Sequence, residues 1–195
     1  MAGSTPSNLT EVLQAVEEAE GTRRVKVRAI IDAVGRRAFG PLLVVAALVV
    51  LAPGLGDIPG IPTLTALFTI AVTAQIVAGR QSVWLPAWLL ERSVARRRLD
   101  KAVGWLRTPA GWVDRLLKPR LRVLVAGSAS RAIAAVALGF AIVMPLTEVV
   151  PFSANLAGVI LLAFGLATIA EDGVMALFGA AATVAAMALL ATVLL

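Results

Sequence analysis

The sequence predicts an all-α, polytopic helical membrane protein: two short proline-broken helical hairpins, interfacial amphipathic helices and a C-terminal transmembrane helix. Three observations carry that prediction. With 59% of its 195 residues hydrophobic, 15% charged and a mean hydropathy of +0.88, the chain is too apolar for a water-soluble domain of this size. Its charges are segregated: Asp57 is the only ionisable residue between Arg37 and Arg80, and no Lys or Arg follows Arg131. Its apolar blocks are interrupted at prolines except for the last, 174–195, which is long enough for an ordinary membrane span.

Residues 1–38 read as cytoplasmic amphipathic helices. Asn8 and Glu11 have the spacing of a capping box, and Leu9, Val12, Leu13 and Val16 then share one helical face. Gly21 and Thr22 break this helix. A second helix is expected to begin near Arg23, with Val27, Ile30, Ile31 and Val34 on one side and Arg23, Arg24, Lys26, Arg28, Arg36 and Arg37 around the rest. Such a helix suits either a headgroup layer or the body of its own protein. The first 20 residues are acidic and lack the basic-then-apolar pattern of a cleaved signal, so insertion is expected to rely on the internal apolar segments.

The first hairpin occupies 39–79 and turns at Pro53, Pro59 and Pro62 with Gly54, Gly56 and Gly60. Its arms, 41–52 and 63–78, fall short of the ~20 residues that cross a hydrocarbon core of about 30 Å. The pair therefore spans a thinned bilayer or is re-entrant. Residues 80–128 form a basic interfacial segment. It holds all four tryptophans of the chain, Trp84, Trp88, Trp105 and Trp112, among a run of basic residues from Arg92 to Arg122. Indole favours the membrane interface, where its ring is apolar and its N–H stays wet.

The second hairpin, 129–171, breaks at Pro145 and Pro151. A single offset of 92 residues superimposes Pro53 on Pro145, Pro59 on Pro151, Leu64 on Leu156, Ala71 on Ala163 and Ala78 on Ala170. The same offset sets Arg80 on Asp172 and Asp57 one residue from the counterpart of Glu148, which points to an internal repeat. Residues 172–195 form the last helix, whose Gly179, Ala180, Ala181, Ala182, Ala185 and Ala186 invite close approach by another helix, so a homodimer or larger homo-oligomer is expected.

The residue inventory narrows the chemistry. Without Cys or His there is no disulfide, thiol nucleophile, His-based triad or ordinary zinc site, and the acids form no metal or nucleophile motif, so no enzyme activity, metal or cofactor is expected. A net charge of +6 would suit nucleic acid in a soluble protein, but these cations lie beside apolar blocks, where they meet anionic lipid headgroups instead; no nucleic-acid partner is expected. Ionisable and amide groups inside apolar blocks are the candidates for ligand or ion binding, because burial at membrane depth costs about 2.5 kcal/mol or more for a charge. Asp57 and Glu148 sit at the two hairpin turns. Arg80, Glu171 and Asp172 sit at the ends of the second arms, where opposite charges would meet if the hairpins pack around a pseudo-twofold axis. Gln75 and Asn155 are expected to bridge helices.

The chain resembles the bacterial exopolysaccharide synthesis protein ExoD family. The resemblance rests on Phe39-Gly40-Pro41, Pro59-Gly60-Ile61-Pro62, Gln75 with Gly79-Arg80, Trp84-Leu85-Pro86, Pro151 with Ala154-Asn155-Leu156, and Glu171-Asp172-Gly173, and it covers about Leu9 to Leu195. It implies a multi-pass protein of the bacterial inner membrane linked to exopolysaccharide production. The amino terminus and the basic segment are expected on the cytoplasmic side, and the carboxyl terminus in the periplasm. Broken short helices and a basic belt suggest a transporter-like or lipid-handling role for an anionic amphiphile. The alternative is a non-transporting scaffold or regulator that recruits polysaccharide-synthesis proteins.

Overall fold

A computed structural model describes residues 8–21, 23–34, 38–52, 54, 56, 58–80, 83–125, 127–149 and 153–194. The chain is mostly helical. Helix α1 (Leu9–Glu18) begins at Asn8, whose side-chain oxygen accepts from the Glu11 N–H at 2.8 Å, while the Asn8 amide donates to Glu11 Oε1 at 2.9 Å. The helix expected from Arg23 does not begin there. Residues Arg24–Lys26 instead form strand β1, paired antiparallel with β2 (Ser93–Ala95), and helix α2 starts only at Val27 and ends at Val34. Alternation explains the difference: Val25 is fully buried between exposed Arg24 and Lys26, a period of two that helical reasoning passes over. Two flanking bonds lengthen the ribbon, Val27 N–H to Arg92 O and Arg96 N–H to Arg23 O.

The apolar helices are α3 (Phe39–Leu51), α4 (Ile61–Val77), α7 (Gly127–Val143), α8 (Ser153–Ala170) and α9 (Gly173–Leu194). With 13 and 17 residues, α3 and α4 reach about 20 and 26 Å, so both arms of the first hairpin are short, as the sequence indicated. After α7 the chain enters a 3-10 turn at Met144–Val149, which contains Pro145. Pro53, Asp57 and Pro151 lie outside the described residues. Two stretches, Ala129–Leu146 and Gly173–Thr192, are long and apolar enough to cross a membrane.

Packing pairs helices distant in sequence: α3 lies on α8 and α4 on α7, with α9 against α8. The core joins Leu43, Val50, Val72, Phe140, Met144, Ile160, Leu161 and Phe164. Contact between α3 and α8 is backbone-close. A Cβ on Gly165 would stand 2.9 Å from Val44 N and 3.0 Å from Gly40 O, so glycine is required where these helices touch.

In the basic segment, α5 (Ala87–Leu90) precedes β2, and a single helix, α6 (Arg96–Leu116), runs on through Pro109. Helix α1 packs on α6 through Leu13, Val103 and Ala110, and on the bundle end through Val12, Val34, Ala38 and Leu166. The amphipathic helices and the basic segment thus form one cap on the apolar helices.

Candidate functional site

Where the cap meets the apolar helices, acids from distant parts of the sequence bind backbone N–H groups. A helix leaves its first N–H groups without internal partners, and a carboxylate there satisfies them and complements the helix dipole. Asp172 is 4% exposed and does this twice. Its Oδ1 accepts from Val174 N at 2.9 Å and Met175 N at 3.4 Å, capping α9, while Oδ2 accepts from Lys118 N at 3.3 Å. A return bond runs from Gly173 N to Arg120 O at 2.7 Å. A Cβ on Gly173 would stand 2.4 Å from Leu121 O, which explains the glycine after Asp172.

Glu171 adopts φ +51 and receives Arg122, whose Nε lies 2.6 Å from Oε2 and whose Nη2 also bonds that oxygen. Leu121, in contact with this turn, is likewise left-handed at φ +49. The expected meeting of Arg80 with Glu171 and Asp172 is not what the structure brings together. Glu171 pairs with Arg122, and Asp172 with the 118–120 backbone. Arg80 is exposed at the end of α4, where its N–H donates to Gln75 O at 3.0 Å, and it makes none of the ion pairs among the described residues.

At the opposite end of the helices, Glu148 caps α4. Its Oε1 accepts from the Thr63 N–H at 2.7 Å and the Thr63 hydroxyl at 2.6 Å, and Oε2 accepts from Gly60 N at 3.2 Å. The acid of the 3-10 turn at Met144–Val149 therefore fastens the start of α4. Asp57 lies outside the described residues. Asn155 is exposed on α8. Gln75 does not bridge two helices: it binds an extended segment beyond its own helix. Its Oε1 accepts from Trp84 N at 2.6 Å and its Nε2 donates to Trp84 O at 2.9 Å, a two-way bond that fixes Trp84 beside the end of α4.

Several further polar groups of the cap have no local signature in the sequence. Asp114 on α6 caps α1, accepting from Leu9 N and Thr10 N at 2.9 Å each and from the Thr10 hydroxyl at 2.5 Å. Arg96 closes the other end of α1, its guanidinium donating to Ala19 O at 2.9 Å and to Glu17 O. Inside the bundle, Thr65, Thr69 and Thr73 form a buried row along α4. The Thr73 hydroxyl donates to Thr69 O at 2.7 Å and that of Thr168 to Phe164 O at 2.8 Å, whereas the buried Thr69 hydroxyl has no hydrogen-bond partner among the described residues. Beyond Thr73 lies a cavity of about 70 Å³ lined by Thr73, Ser130 and Thr168 with Phe39, Ile76 and Phe164. The i, i+4, i+8 spacing of the threonines was the available signal.

Glu91, exposed at the end of α5 just before β2, lies 2.6 Å from Lys26 Nζ and 3.7 Å from Arg28. Hydrogen bonding and attraction from Lys26, with a smaller pull from Arg28, hold its carboxyl below the usual range.

Fold and site together define a helical protein with two helices long and apolar enough to cross a membrane, closed at one end by a basic cap. The family described as "Exopolysaccharide synthesis, ExoD" matches residues 9–192, and the chain belongs to that family. It is 28% identical over 179 residues to Protein ExoD of Rhizobium meliloti (strain 1021), covering 89% of this chain and 72% of that protein. No solved structure matches. Membership ties the chain to exopolysaccharide synthesis.

Proposed function

We propose that this is a multi-pass inner-membrane protein that binds or moves an anionic amphiphile, a polyprenyl-phosphate-linked intermediate or a phospholipid, in support of exopolysaccharide production. The observation that carries this reading is the row of hydroxyls in the core. Buried polar groups in an apolar helix bundle cost free energy unless partnered, and the unpartnered Thr69 hydroxyl lies one helical turn from Thr73, which with Ser130 and Thr168 adds hydroxyls to an otherwise apolar cavity, so a polar ligand group is the partner this row lacks. The short arms and crossed pairing support two repeated hairpins, re-entrant at their proline turns, with the exposed Glu148 of one turn capping α4 of the other hairpin. The amino terminus and cap face the cytoplasm and the carboxyl terminus the periplasm, which a C-terminal reporter active only in the cytoplasm would overturn. Gly179 already packs against Phe164 in its own chain, so a homo-oligomer forms through the exposed Ala181, Ala185 and Ala188 of α9.

Native mass spectrometry of the detergent-purified protein tests the reading. A retained anionic amphiphile, lost in the isosteric Thr69→Val/Thr73→Val variant, is the expected result. No retained lipid in either protein leaves the second reading, a scaffold or regulator of polysaccharide-synthesis proteins. That reading draws on the open groove of about 530 Å³ in the cap, lined by Glu18, Glu20, Arg24, Lys26, Arg28 and Asp32, whose mixed charges suit a protein partner.

A further inference from the structure

Helix α6 has two unlike faces. Val103 and Ala110, 3% and 1% exposed, turn inward beneath α1. Trp105, Trp112 and Leu116 follow one another at seven and four residues, so they share the opposite side, and they are 82%, 68% and 75% exposed. Large apolar side chains aligned and uncovered to this extent mark an interaction surface.

The charges of α6 are sorted across the same division. Both of its acids are drawn away from the tryptophan side: Asp100 bonds Arg96 Nε at 2.9 Å, and Asp114 caps α1. Arg98 and Lys101 lie on the tryptophan side with Arg115 at its edge, all three exposed. The uncovered face is therefore apolar in the middle and cationic around it, the complement of an anionic lipid surface.

Depth follows from Pro109, which is exposed and falls between the two tryptophans on this side. Proline has no N–H, so the Trp105 carbonyl loses its partner four residues on. In hydrocarbon such a carbonyl is costly, but at the interface water satisfies it.

We infer that α6 is an in-plane membrane anchor, with Trp105, Trp112 and Leu116 seated at the headgroup–acyl boundary of a bilayer rich in anionic lipid and Arg98, Lys101 and Arg115 on its phosphates. The inference goes beyond the proposed function and is indifferent to whether the apolar helices carry a ligand or serve as a scaffold. The cap is thereby held flat against the bilayer instead of standing free on the helix ends.

The test uses the full chain carrying Trp84→Phe and Trp88→Phe, reconstituted in phosphatidylcholine vesicles with and without phosphatidylglycerol. Brominated lipids report the depth of the two remaining indoles, and aqueous acrylamide reports their exposure to water. Strong quenching by lipid brominated near the headgroup, weak quenching by acrylamide and deeper immersion with phosphatidylglycerol are expected. Replacing Arg98, Lys101 and Arg115 by Gln is expected to remove roughly half or more of the phosphatidylglycerol-dependent quenching, since each cation near such a surface contributes to binding. Indoles quenched freely by acrylamide and not by bromolipid would overturn the inference. Indoles shielded from both would also overturn it, because a protein surface or a second copy would then cover them. Lipid retention in the earlier experiment does not decide this one, so the two readings fail separately.

Discussion

The apolar helices and the basic cap are held together by opposite means. Helices α3 and α8 meet at Gly40 and Gly165 and rely on the close fit of backbone and small side chains. The cap is fastened by directional bonds from Asp114, Arg96, Lys26 and Glu91, and Asp172 joins it to the helices. Where every side chain is apolar, shape must supply specificity; where charges are plentiful, helix ends supply it. A fit fails all at once when one atom is added, whereas a set of polar bonds weakens one bond at a time.

The sharpest way to break this comparison is Gly165→Ala. Its added methyl meets Val44 N and Gly40 O at about 3 Å, so a loss of about 1–3 kcal/mol is expected, read as a lowered unfolding temperature in detergent. Gly104→Ala, where a Cβ meets nothing within 4 Å, is the control and should leave stability unchanged or slightly raised. Next comes Asp172→Ala, which strips the α9 cap and the bond to Lys118 together. About 2 kcal/mol is expected, with proteolysis between residues 117 and 124 accelerating before the helices unfold.

Glu148→Gln keeps the shape of a cap and removes its charge. A loss of about 1 kcal/mol is expected from weaker bonds to Thr63 and Gly60. If Glu148 also serves a ligand, polysaccharide complementation falls further than the protein level does; equal falls confine it to capping. The smallest effect concerns Glu91. Because its folded carboxyl titrates below the ordinary value of 4.5, the Lys26 link adds stability above that value and loses it as pH falls through the folded value. Protection factors of the β1–β2 ribbon amides, corrected for the intrinsic exchange rate at each pH, are expected to fall slightly below pH 4.5, and Glu91→Gln is expected to erase that dependence while leaving α3–α8 protection unchanged.

The two regions also differed in how well they could be read. The apolar helices and their breaks are written locally, in runs of Leu, Val and Ala ended by Pro145 or by Asp172-Gly173, and hydropathy finds them with bounds close to those observed. The cap depends on pairs far apart in sequence. Nothing beside Leu9 announces that Asp114 caps it, nor does Arg24 announce Ala95 as its strand partner. The ends of the two second arms suggest that Arg80 meets Glu171 and Asp172 across a pseudo-twofold axis, but Glu171 is taken by Arg122 on the returning 3-10 turn at Arg122–Leu124. Long-range hydrogen bonding leaves no periodicity to detect.

The shared carboxylate of Asp172 has a mechanical consequence. The first turn of α9 and the 118–120 backbone hang on two oxygens of one side chain, and Gly173 returns a bond to the same strand of backbone. A tilt of α9 must carry that segment with it or tear both sets of bonds. Helix and belt therefore move as one lever, with its pivot at a residue that touches each of them.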